Sequence, residues 1–380
     1  MSKVSIRFLH TSDWQLGMTR HFLSEGAQEM YSQARFDAIR TMGRVAKDWN
    51  CQFMLVCGDA FESNLVDRRT VARAMEALKD VPVPVYILPG NHDTLNAASV
   101  YRSSTFLELK PAHVHVIETA VPITIGKSVE LVGAPWISKR PIVNPIEKAI
   151  EVLAPANEVT RICVAHGPVD ILAPEKESPG IISVAALERA ISEGKIDFVA
   201  LGDRHSLTKV GDGNRIWYSG TPESTDFRET NSGHASIVDI GNNNVTTESI
   251  RIGQWRFIER DRVDLNTAAD VEALRKSLEE IENKERTIVR LNLVGSLSLA
   301  STGALQCHLL ATKDVFGAFD VRENGLLVLP DDMDFVNLGF TGFADGTVQR
   351  FRSKIAENKG EAAAARDALM LMLRLARGIA

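Results

Sequence analysis

Residues 6 to 17, Ile6-Arg-Phe-Leu-His-Thr-Ser-Asp-Trp-Gln-Leu-Gly17, decide the fold, because four later segments repeat their pattern. Each segment pairs a short apolar run, rich in β-branched residues, with polar side chains of types that bind metals. The later four are FMLVCGD (53–59), VYILPGNHD (85–93), RICVAHG (161–167) and DFVALGDRH (197–205). Such runs are typical of buried strands. Because an open α/β sheet binds its ligands outside the carboxyl ends of its strands, we expect the five ends to converge on one site.

Strand and helix signals alternate as far as about residue 200, which predicts an α/β domain. Apolar residues at helical spacing indicate crossover helices over 25–48 and 66–79, the second with Asp67 as its cap. From residue 214 three strand-like runs separated by Gly/Asn-rich turns predict a second, antiparallel sheet. The pattern restarts near Gly253. We therefore expect an α/β domain over 1–252, a small α+β domain over 253–345 and a helical tail over 346–380.

Composition places the chain among ordinary globular proteins, since 44% of its 380 residues are hydrophobic and 24% are charged. The net charge of -6 means that any polyanion must meet a local basic surface. No run approaches the roughly 20 apolar residues of a spanning helix, and charged residues interrupt the only candidate signal peptide. We expect a cytoplasmic protein without a membrane partner. The cysteines lack C-x-x-C spacing and are expected to be reduced core thiols: Cys51, Cys57, Cys163 and Cys307.

The polar residues at the strand ends include carboxylates, amides and imidazoles, a combination that suits two hard or borderline divalent cations. Two such ions roughly 3.5 to 4 Å apart can clamp the attacking and leaving oxygens of a phosphoryl transfer. Any one motif alone is more often an ordinary turn, but five in this order predict a dinuclear hydrolase. The candidate residues are Asp13, Gln15, Asp59, Asn91, His92, Asp93, His166, Asp203 and His205.

The motifs TSDWQLG, CGD, GNHD, AHG and GDRH, in this order, resemble those of the calcineurin-like metallophosphoesterases. HTSDW together with YSGTPESTDF resembles the SbcD-type DNA-repair nucleases of that family. The resemblance is close over about residues 5–252 and implies a two-sheet α/β sandwich. Over the second domain it is looser and implies a small α+β capping domain, followed by a C-terminal helix.

The resemblance also implies roles for the residues that match the motifs. One metal ion would take Asp13, Gln15, Asp59 and His205, and the second would take Asp59, Asn91, His166 and Asp203. Asp59 would then bridge the two ions. His92 would protonate the leaving oxygen or stabilise its charge. Asp93 would orient His92 without contacting the reacting groups itself.

Three positions in the site depart from the family pattern. Gln15 stands where D-x-H has a histidine, and Asp203 stands where G-H-x-H has one. Oxygen donors in place of imidazoles favour Mn²⁺ or Mg²⁺ over Zn²⁺. Glu62 replaces the histidine that follows Gly-Asp, and its charge would repel a phosphodiester unless it is protonated or paired with Arg68 or Arg69.

Three functions are compatible with the sequence. The first is a metal-dependent DNA phosphodiesterase, an exonuclease or endonuclease of DNA repair, acting with an SbcC-type coiled-coil ATPase that only the resemblance implies. The second is a small-molecule phosphoesterase acting on nucleotides or cyclic nucleotides. The third is a non-catalytic subunit that binds DNA ends.

Two surfaces are candidates for contacts with partners. The apolar side of the tail helix is expected to pack on its own domain, or to dock on a partner coiled coil or a second copy in a homodimer. Cationic residues on the strand-end loops are candidates for contacts with DNA phosphates: Arg20, His21, Lys139, Arg140, Arg204 and Lys209.

Overall fold

Strands and helices alternate along most of the chain, as the hydrophobic pattern predicts. The computed structural model describes residues 5–141, 143–173, 180–241, 244–329, 341–357 and 360–376. The chain divides into two compact units, Met1–Arg256 and Phe257–Ala380. Each unit has its own apolar core.

The first unit carries the five segments that the sequence singles out. Its strands are, in chain order, β1 (Ile6–Thr11), β2 (Met54–Cys57), β3 (Val85–Leu88), β4 (Val114–Val116), β5 (Ile123–Ile125), β6 (Val129–Gly133), β7 (Thr160–His166), β8 (Phe198–Gly202), β9 (Thr208–Lys209), β10 (Ile216–Tyr218), β11 (His234–Ile240) and β12 (Val245–Arg251). Its helices are α1 (Glu25–Asp48), α2 (Arg68–Lys79), a 3-10 turn (Val100–Arg102), α3 (Ser104–Leu109), α4 (Pro145–Glu151) and α5 (Val184–Ser192).

These strands form two mixed six-stranded sheets. The first has the order β12-β11-β1-β2-β3-β4 and the second has the order β5-β6-β7-β8-β10-β9. Strands β1 to β4 run parallel, as do β6, β7, β8 and β10. The antiparallel strands lie toward the edges, where β11 and β12 extend the first sheet and β5 and β9 border the second. The predicted α/β class and two-sheet architecture are confirmed.

The prediction of a separate antiparallel sheet after residue 214 is wrong. Strand β10 pairs in parallel with β8, with Ile216 opposite Val199. Strand β11 joins the other sheet, where Val238 lies opposite Phe8 of β1. Only β11 and β12 form the expected antiparallel pair. The alternating pattern marks a run as extended, but its partner depends on which sheet edge is available in space, and the local sequence does not contain that information.

The apolar core between the sheets fixes the relative position of their strand ends. Phe8 of β1 stacks on Phe53 at 5.0 Å between ring centroids and meets the edge of Phe198 from the second sheet at 5.8 Å. All three rings are fully buried. Helices α1 and α2 cover the outer face of the first sheet, and α4 and α5 cover that of the second. Because both faces of each sheet are covered, the parallel strands are mostly apolar.

Helix starts follow the predicted chemistry. The Asp67 side chain caps α2 by accepting a hydrogen bond from the Thr70 N–H at 2.6 Å, which confirms the predicted cap. Ser24 caps α1 in the same way by accepting from the Ala27 N–H at 3.3 Å.

The second unit contains a three-stranded sheet in the order β13-β14-β15, in which β14 and β15 run parallel. Its core includes Val289 and Leu291 of β14 packed with Leu274 and Leu278. Residues 358–359 and 377–380 of the predicted helical tail lie outside the described residues. The elements are β13 (Arg256–Leu265), α6 (Ala268–Glu279), a 3-10 turn (Lys284–Arg286), β14 (Thr287–Leu297), α7 (Leu299–Lys313), β15 (Ala318–Val328), α8 (Phe343–Ala356) and α9 (Ala362–Ala376).

Cys51, Cys57 and Cys163 are free and buried, as predicted, but Cys307 is exposed on α7, so the prediction that it lies in the core is wrong. Its helix presents apolar residues on more than one side, and the sequence alone does not show which side is covered. None of the helices that the structure describes combines the length and apolar character needed to cross a bilayer.

Candidate metal centre

The carboxyl ends of β1, β2, β3, β7 and β8 converge, as the sequence predicts. The loops after β1 and β2 are joined by backbone hydrogen bonds from Asp13 N–H to the Gly58 oxygen and from Gln15 N–H to the Asp59 oxygen, both at 3.0 Å. The second sheet meets them through the Asp203 N–H, which donates to Asp13 Oδ2 at 3.1 Å. The two sheets therefore deliver their ligand-type side chains to one place.

Several of these residues adopt backbone conformations that side chains disfavour. Asp13, Gln15, Asp59 and Asp203 have φ values of +52°, +48°, +52° and +99°. Such conformations cost on the order of 1 kcal/mol or more each and persist where the surrounding structure holds them. All four are ligand candidates, and each lies in a loop that follows a strand end. Four strained residues at one spot are typical of a functional site.

Three glycines at the strand ends make this close approach possible. A Cβ on Gly58 would lie 2.0 Å from His166 Nδ1, and one on Gly90 would lie 2.2 Å from Asp59 Oδ1. A Cβ on Gly202 would lie 1.7 Å from the Cys57 carbonyl oxygen. Any side chain at these positions would displace a neighbouring ligand or strand, so the Gly-Asp and Gly-Asn dipeptides of the motifs have a steric cause.

Asp13, Asp59 and His166 form the centre of the site, with one potential ligand atom of each within 4.8 Å of the others. His166 Nε2 lies 3.3 Å from Asp59 Oδ2, 2.7 Å from Asn91 Oδ1 and 3.8 Å from Asp203 Oδ1. The opposite ring nitrogen, Nδ1, is 2.8 Å from the Cys57 carbonyl oxygen, which fixes the ring. The residues predicted for the second metal ion are thus neighbours.

The residues predicted for the first ion also lie together. His205 Nε2 is 3.8 Å from Asp13 Oδ1 and 3.2 Å from the amide nitrogen of Gln15. Gln15 is 3% exposed, and its side-chain oxygen is buried without a hydrogen-bond partner among the described residues. A buried amide oxygen without a partner is costly unless it binds a ligand.

The residues of the cluster alter one another's acidity. Burial raises the pKa of Asp13, although the charges of His205 and His166 oppose the rise. Burial would also raise the pKa of Asp59, but the charge and hydrogen bond of His166 outweigh it and hold that pKa low. Burial likewise opposes charge on His166, but Asp59, its hydrogen bond and Asp13 raise the pKa of His166 well above its usual value. The site therefore attracts positive charge.

The remaining two ligand candidates show the same balance. Loss of hydration and the nearby Asp13 raise the pKa of Asp203 to about 6, although His166 opposes the rise. Burial lowers the pKa of His205, but Glu229 and Asp13 outweigh it and raise that pKa to about 9. A divalent cation would supply the same positive charge and displace protons. The donor set, the buried Gln15 oxygen and the three close-fitting glycines all fit such an ion.

His92 lies at the accessible rim, with 38% of its side chain exposed. Its Nδ1 is 2.9 Å from the Glu62 carbonyl oxygen, and its backbone N–H donates to Asp59 Oδ1 at 2.9 Å. One Glu62 side-chain oxygen is 4.0 Å from the same Nδ1, and the other is buried with no hydrogen-bond partner in the described part of the chain. None of the described ion pairs joins Glu62 to Arg68 or Arg69, and the described pair of Glu62 is with His92.

Asp93 is fully buried and holds the turn that carries His92. Its carboxylate accepts hydrogen bonds from Gly90 N–H at 2.7 Å, Phe61 N–H at 3.1 Å and the Tyr101 hydroxyl at 2.5 Å. Burial and the charge of Asp59 raise the pKa of Asp93 to about 6. The described contacts of the His92 ring are with Glu62, so Asp93 acts on His92 through the backbone of the turn.

Sequence reasoning missed two residues behind His205. Its Nδ1 lies 2.8 Å from both the Thr225 hydroxyl and a Glu229 carboxylate oxygen. The only signal was the motif YSGTPESTDF, which contains Thr225 but ends two residues before Glu229. A carboxylate that lies far from the strand ends in sequence has no local pattern that marks it.

The candidate phosphate-binding residues differ in their surroundings. Arg20 donates to the Thr225 carbonyl oxygen at 2.5 Å and is committed to the loop that holds His205. Arg204 donates to the Thr208 hydroxyl at 2.9 Å. The other four are exposed on the surface of the first unit: His21, Lys139, Arg140 and Lys209.

Comparison with known proteins agrees with the geometry. The sequence model of the family described as calcineurin-like phosphoesterase matches residues 6–207, more than half of the chain, and includes every ligand candidate. The DNA double-strand break repair protein Mre11 of Archaeoglobus fulgidus is 25% identical over 312 residues, which cover 73% of this chain and 64% of that protein. The D component of the nuclease SbcCD of Bacillus subtilis is 28% identical over 134 residues, covering 32% of this chain and 33% of that protein.

A third relative is an uncharacterized metallophosphoesterase, YhaO of Bacillus subtilis, which is 22% identical over 308 residues. The match covers 77% of this chain and 72% of that protein. This chain thus spans less than two thirds of the length of the two relatives with named functions.

Proposed function

This chain belongs to the calcineurin-like phosphoesterases, and from that premise we propose that it is a dinuclear, metal-dependent phosphodiesterase that cleaves DNA. One observation carries the proposal. Asp59 is close to both groups of ligands, because one of its carboxylate oxygens lies within 4.8 Å of a ligand atom of Asp13 and of His166, and Oδ2 lies 3.3 Å from His166 Nε2. A carboxylate in that position suits the bridge between two ions.

Each of the two groups of ligand candidates is assigned to one metal ion. Asp13, Gln15, Asp59 and His205 would hold one, and Asp59, Asn91, His166 and Asp203 the other. Divalent cations in such a pair supply polarisation of the phosphoryl oxygens and activation of a water at neutral pH. Because oxygen donors predominate in the set, Mn²⁺ is the favoured ion and Mg²⁺ the alternative.

His92 is the residue best placed to handle the leaving group. The Glu62 carbonyl oxygen accepts the proton on Nδ1 at 2.9 Å, which leaves Nε2 directed away from that contact. Because 38% of its side chain is exposed, a substrate can contact the His92 ring directly. The buried carboxylates of the site are not accessible in this way. In this role His92 donates a proton from Nε2 to the leaving oxygen, and Asp93 keeps the turn in place.

DNA as the substrate is supported by the named functions of two relatives, a double-strand break repair protein and a nuclease component. Exposed Lys139 and Arg140 on the loop after β6 add cationic groups suited to phosphate contacts. We further propose that the chain works with a coiled-coil ATPase of the SbcC type, because that relative is named as one part of a complex. The cytoplasmic location remains a proposal, and so does the capping role of the second unit.

A small-molecule phosphoesterase is the second candidate, and Glu62 favours it. Its carboxylate lies beside His92 with one oxygen unpartnered among the described residues, where a negative charge opposes the close approach of a polyanion. A small substrate with a hydroxyl near the reacting phosphate would instead donate a hydrogen bond to this oxygen.

The test is an assay of the purified chain with Mn²⁺ on linear duplex DNA, single-stranded DNA and bis-p-nitrophenyl phosphate, with His92→Gln as the inactive control. Cleavage of DNA by the wild type alone supports the proposal. Hydrolysis of the small ester without DNA cleavage replaces it with the second candidate. Binding of DNA ends with no hydrolysis of either substrate would show a non-catalytic subunit and contradict the enzymatic proposal.

A further inference from the structure

A buried carboxylate contacts His205 on the side opposite the candidate metal centre. Its Nδ1 lies 2.8 Å from Glu229 Oε1 and 2.8 Å from the Thr225 hydroxyl oxygen. Only 7% of the Glu229 side chain is exposed. His166, the other imidazole in the cluster, is held at Nδ1 by a backbone carbonyl instead. The orientation of His205 thus depends on a side chain that can be changed by mutation.

The Glu229 carboxylate is itself held in place. The Thr225 N–H donates to Oε2 at 2.8 Å, and the Thr225 hydroxyl donates to Oε1. The adjoining backbone is tied to the loop after β1 and to α1, because Arg20 donates to the Thr225 oxygen at 2.5 Å and the Tyr31 hydroxyl donates to the Ser224 oxygen at 2.8 Å. Glu229 therefore has one defined position, and so does the ring nitrogen that faces it.

This arrangement determines whether Nε2, the other ring nitrogen of His205, can act as a metal ligand. A proton on Nδ1 is donated to Glu229, so the lone pair of a neutral ring lies on Nε2. That atom points at Asp13 Oδ1, 3.8 Å away, and at the Gln15 amide, 3.2 Å away. A carboxylate behind a metal-binding imidazole also increases its basicity. This matters here because Gln15 and Asp203 leave the site with few nitrogen ligands.

We propose that Glu229 is a positioning residue that fixes the ring orientation and tautomer of His205, so that Nε2 is presented to the metal ion held with Asp13 and Gln15. This inference rests on the proposed dinuclear centre. The alternative is that Glu229 merely satisfies the buried polar groups of its loop, in which case it would stabilise the fold without affecting metal affinity.

Calorimetric titration of the full chain with Mn²⁺, with melting measured in EDTA, separates the two. Glu229→Gln keeps the shape of the side chain and removes its charge, and we expect Mn²⁺ to bind one of two sites about tenfold more weakly. Glu229→Ala removes the contacts of Glu229 with His205 and with Thr225, and we expect Mn²⁺ to bind up to about a hundredfold more weakly. Asp226→Asn, on the exposed part of the same loop, is the matched control and should bind as the wild type does.

The outcomes also distinguish this inference from the proposed function. If the wild type binds two Mn²⁺ ions and Glu229→Gln binds both with unchanged affinity, the positioning role is refuted while the dinuclear centre stands. A lower melting temperature with unchanged affinity would assign Glu229 a purely structural role. If the wild type itself binds no Mn²⁺, the proposed function fails and the inference fails with it. Should Glu229→Ala not fold, Glu229→Gln alone decides.

Discussion

Replacement of Gly90 by alanine tests whether the packing at the strand ends sets the metal centre. The new Cβ would lie 2.2 Å from Asp59 Oδ1 and 2.6 Å from the Asp59 backbone nitrogen. A carbon–oxygen contact needs roughly 3.3 Å, so Asp59 or the turn that carries Gly90 must move by about 1 Å. Gly90 is not among the residues with a left-handed φ, so the effect would be steric rather than conformational.

A displacement of about 1 Å in a reacting group can cost about a hundredfold in rate. We therefore expect Gly90→Ala to lose about a hundredfold in turnover of bis-p-nitrophenyl phosphate, and to bind Mn²⁺ about tenfold more weakly. Overpacking should also lower the free energy of unfolding by about 1 to 3 kcal/mol, which leaves a folded protein to assay. Circular dichroism measures the loss of stability, and calorimetric titration measures the loss of Mn²⁺ affinity.

Gly26→Ala provides the matched control, since a Cβ at that position in the first turn of α1 meets nothing within 4 Å. It should leave metal affinity and turnover unchanged. If Gly90→Ala bound Mn²⁺ and turned over substrate as well as Gly26→Ala does, the close contact with Asp59 would have no bearing on the site, and the steric account of the Gly-Asn motif would be wrong.

Three further outcomes are expected. Burial lowers the pKa of His10 to about 3, so between that pH and about pH 6.5 only the unfolded chain gains the proton. Between pH 7.5 and pH 5 the wild type should therefore lose about 2 kcal/mol more unfolding free energy than His10→Leu. An equal change of unfolding free energy with pH in the two proteins, measured by denaturation, would refute this. Gln15→Ala and Asp203→Ala should each bind Mn²⁺ about tenfold more weakly, on the order of 1.4 kcal/mol, and changes within about twofold in calorimetry would remove both from the ligand set. His92→Gln should keep its metal ions in elemental analysis yet lose about a hundredfold or more in turnover, and a loss of metal would instead make His92 a ligand.

The strand ends were predictable because their signal is local. A buried run followed by Gly-Asp or Gly-Asn identifies both the strand and the turn, and the structure places Asp59 and Asn91 next to the same imidazole, His166. The tight glycine contacts explain why the signal is so compact. A residue without a Cβ is required wherever one strand end abuts the next ligand.

Features that depend on distant parts of the chain were not predictable. Glu229 reaches His205 across a loop held by Arg20 from the segment after β1, and no spacing in the sequence records that contact. The assignment of β10 and β11 to different sheets has the same cause, since both read as strands and only the assembled sheets offer their edges. Cys307 was misplaced because an apolar helix does not show from sequence which side is covered.

The most direct test of the central claim is the metal content of the wild type and of Asp59→Asn after loading with Mn²⁺ and removal of free ions. A carboxylate oxygen of Asp59 lies within 4.8 Å of ligand atoms of both Asp13 and His166, so its charge would be shared by both ions. We predict about two manganese ions per chain in the wild type and close to none in Asp59→Asn, with the melting temperature in EDTA little changed. Two ions per chain in Asp59→Asn would contradict the bridging role and with it the proposed dinuclear centre.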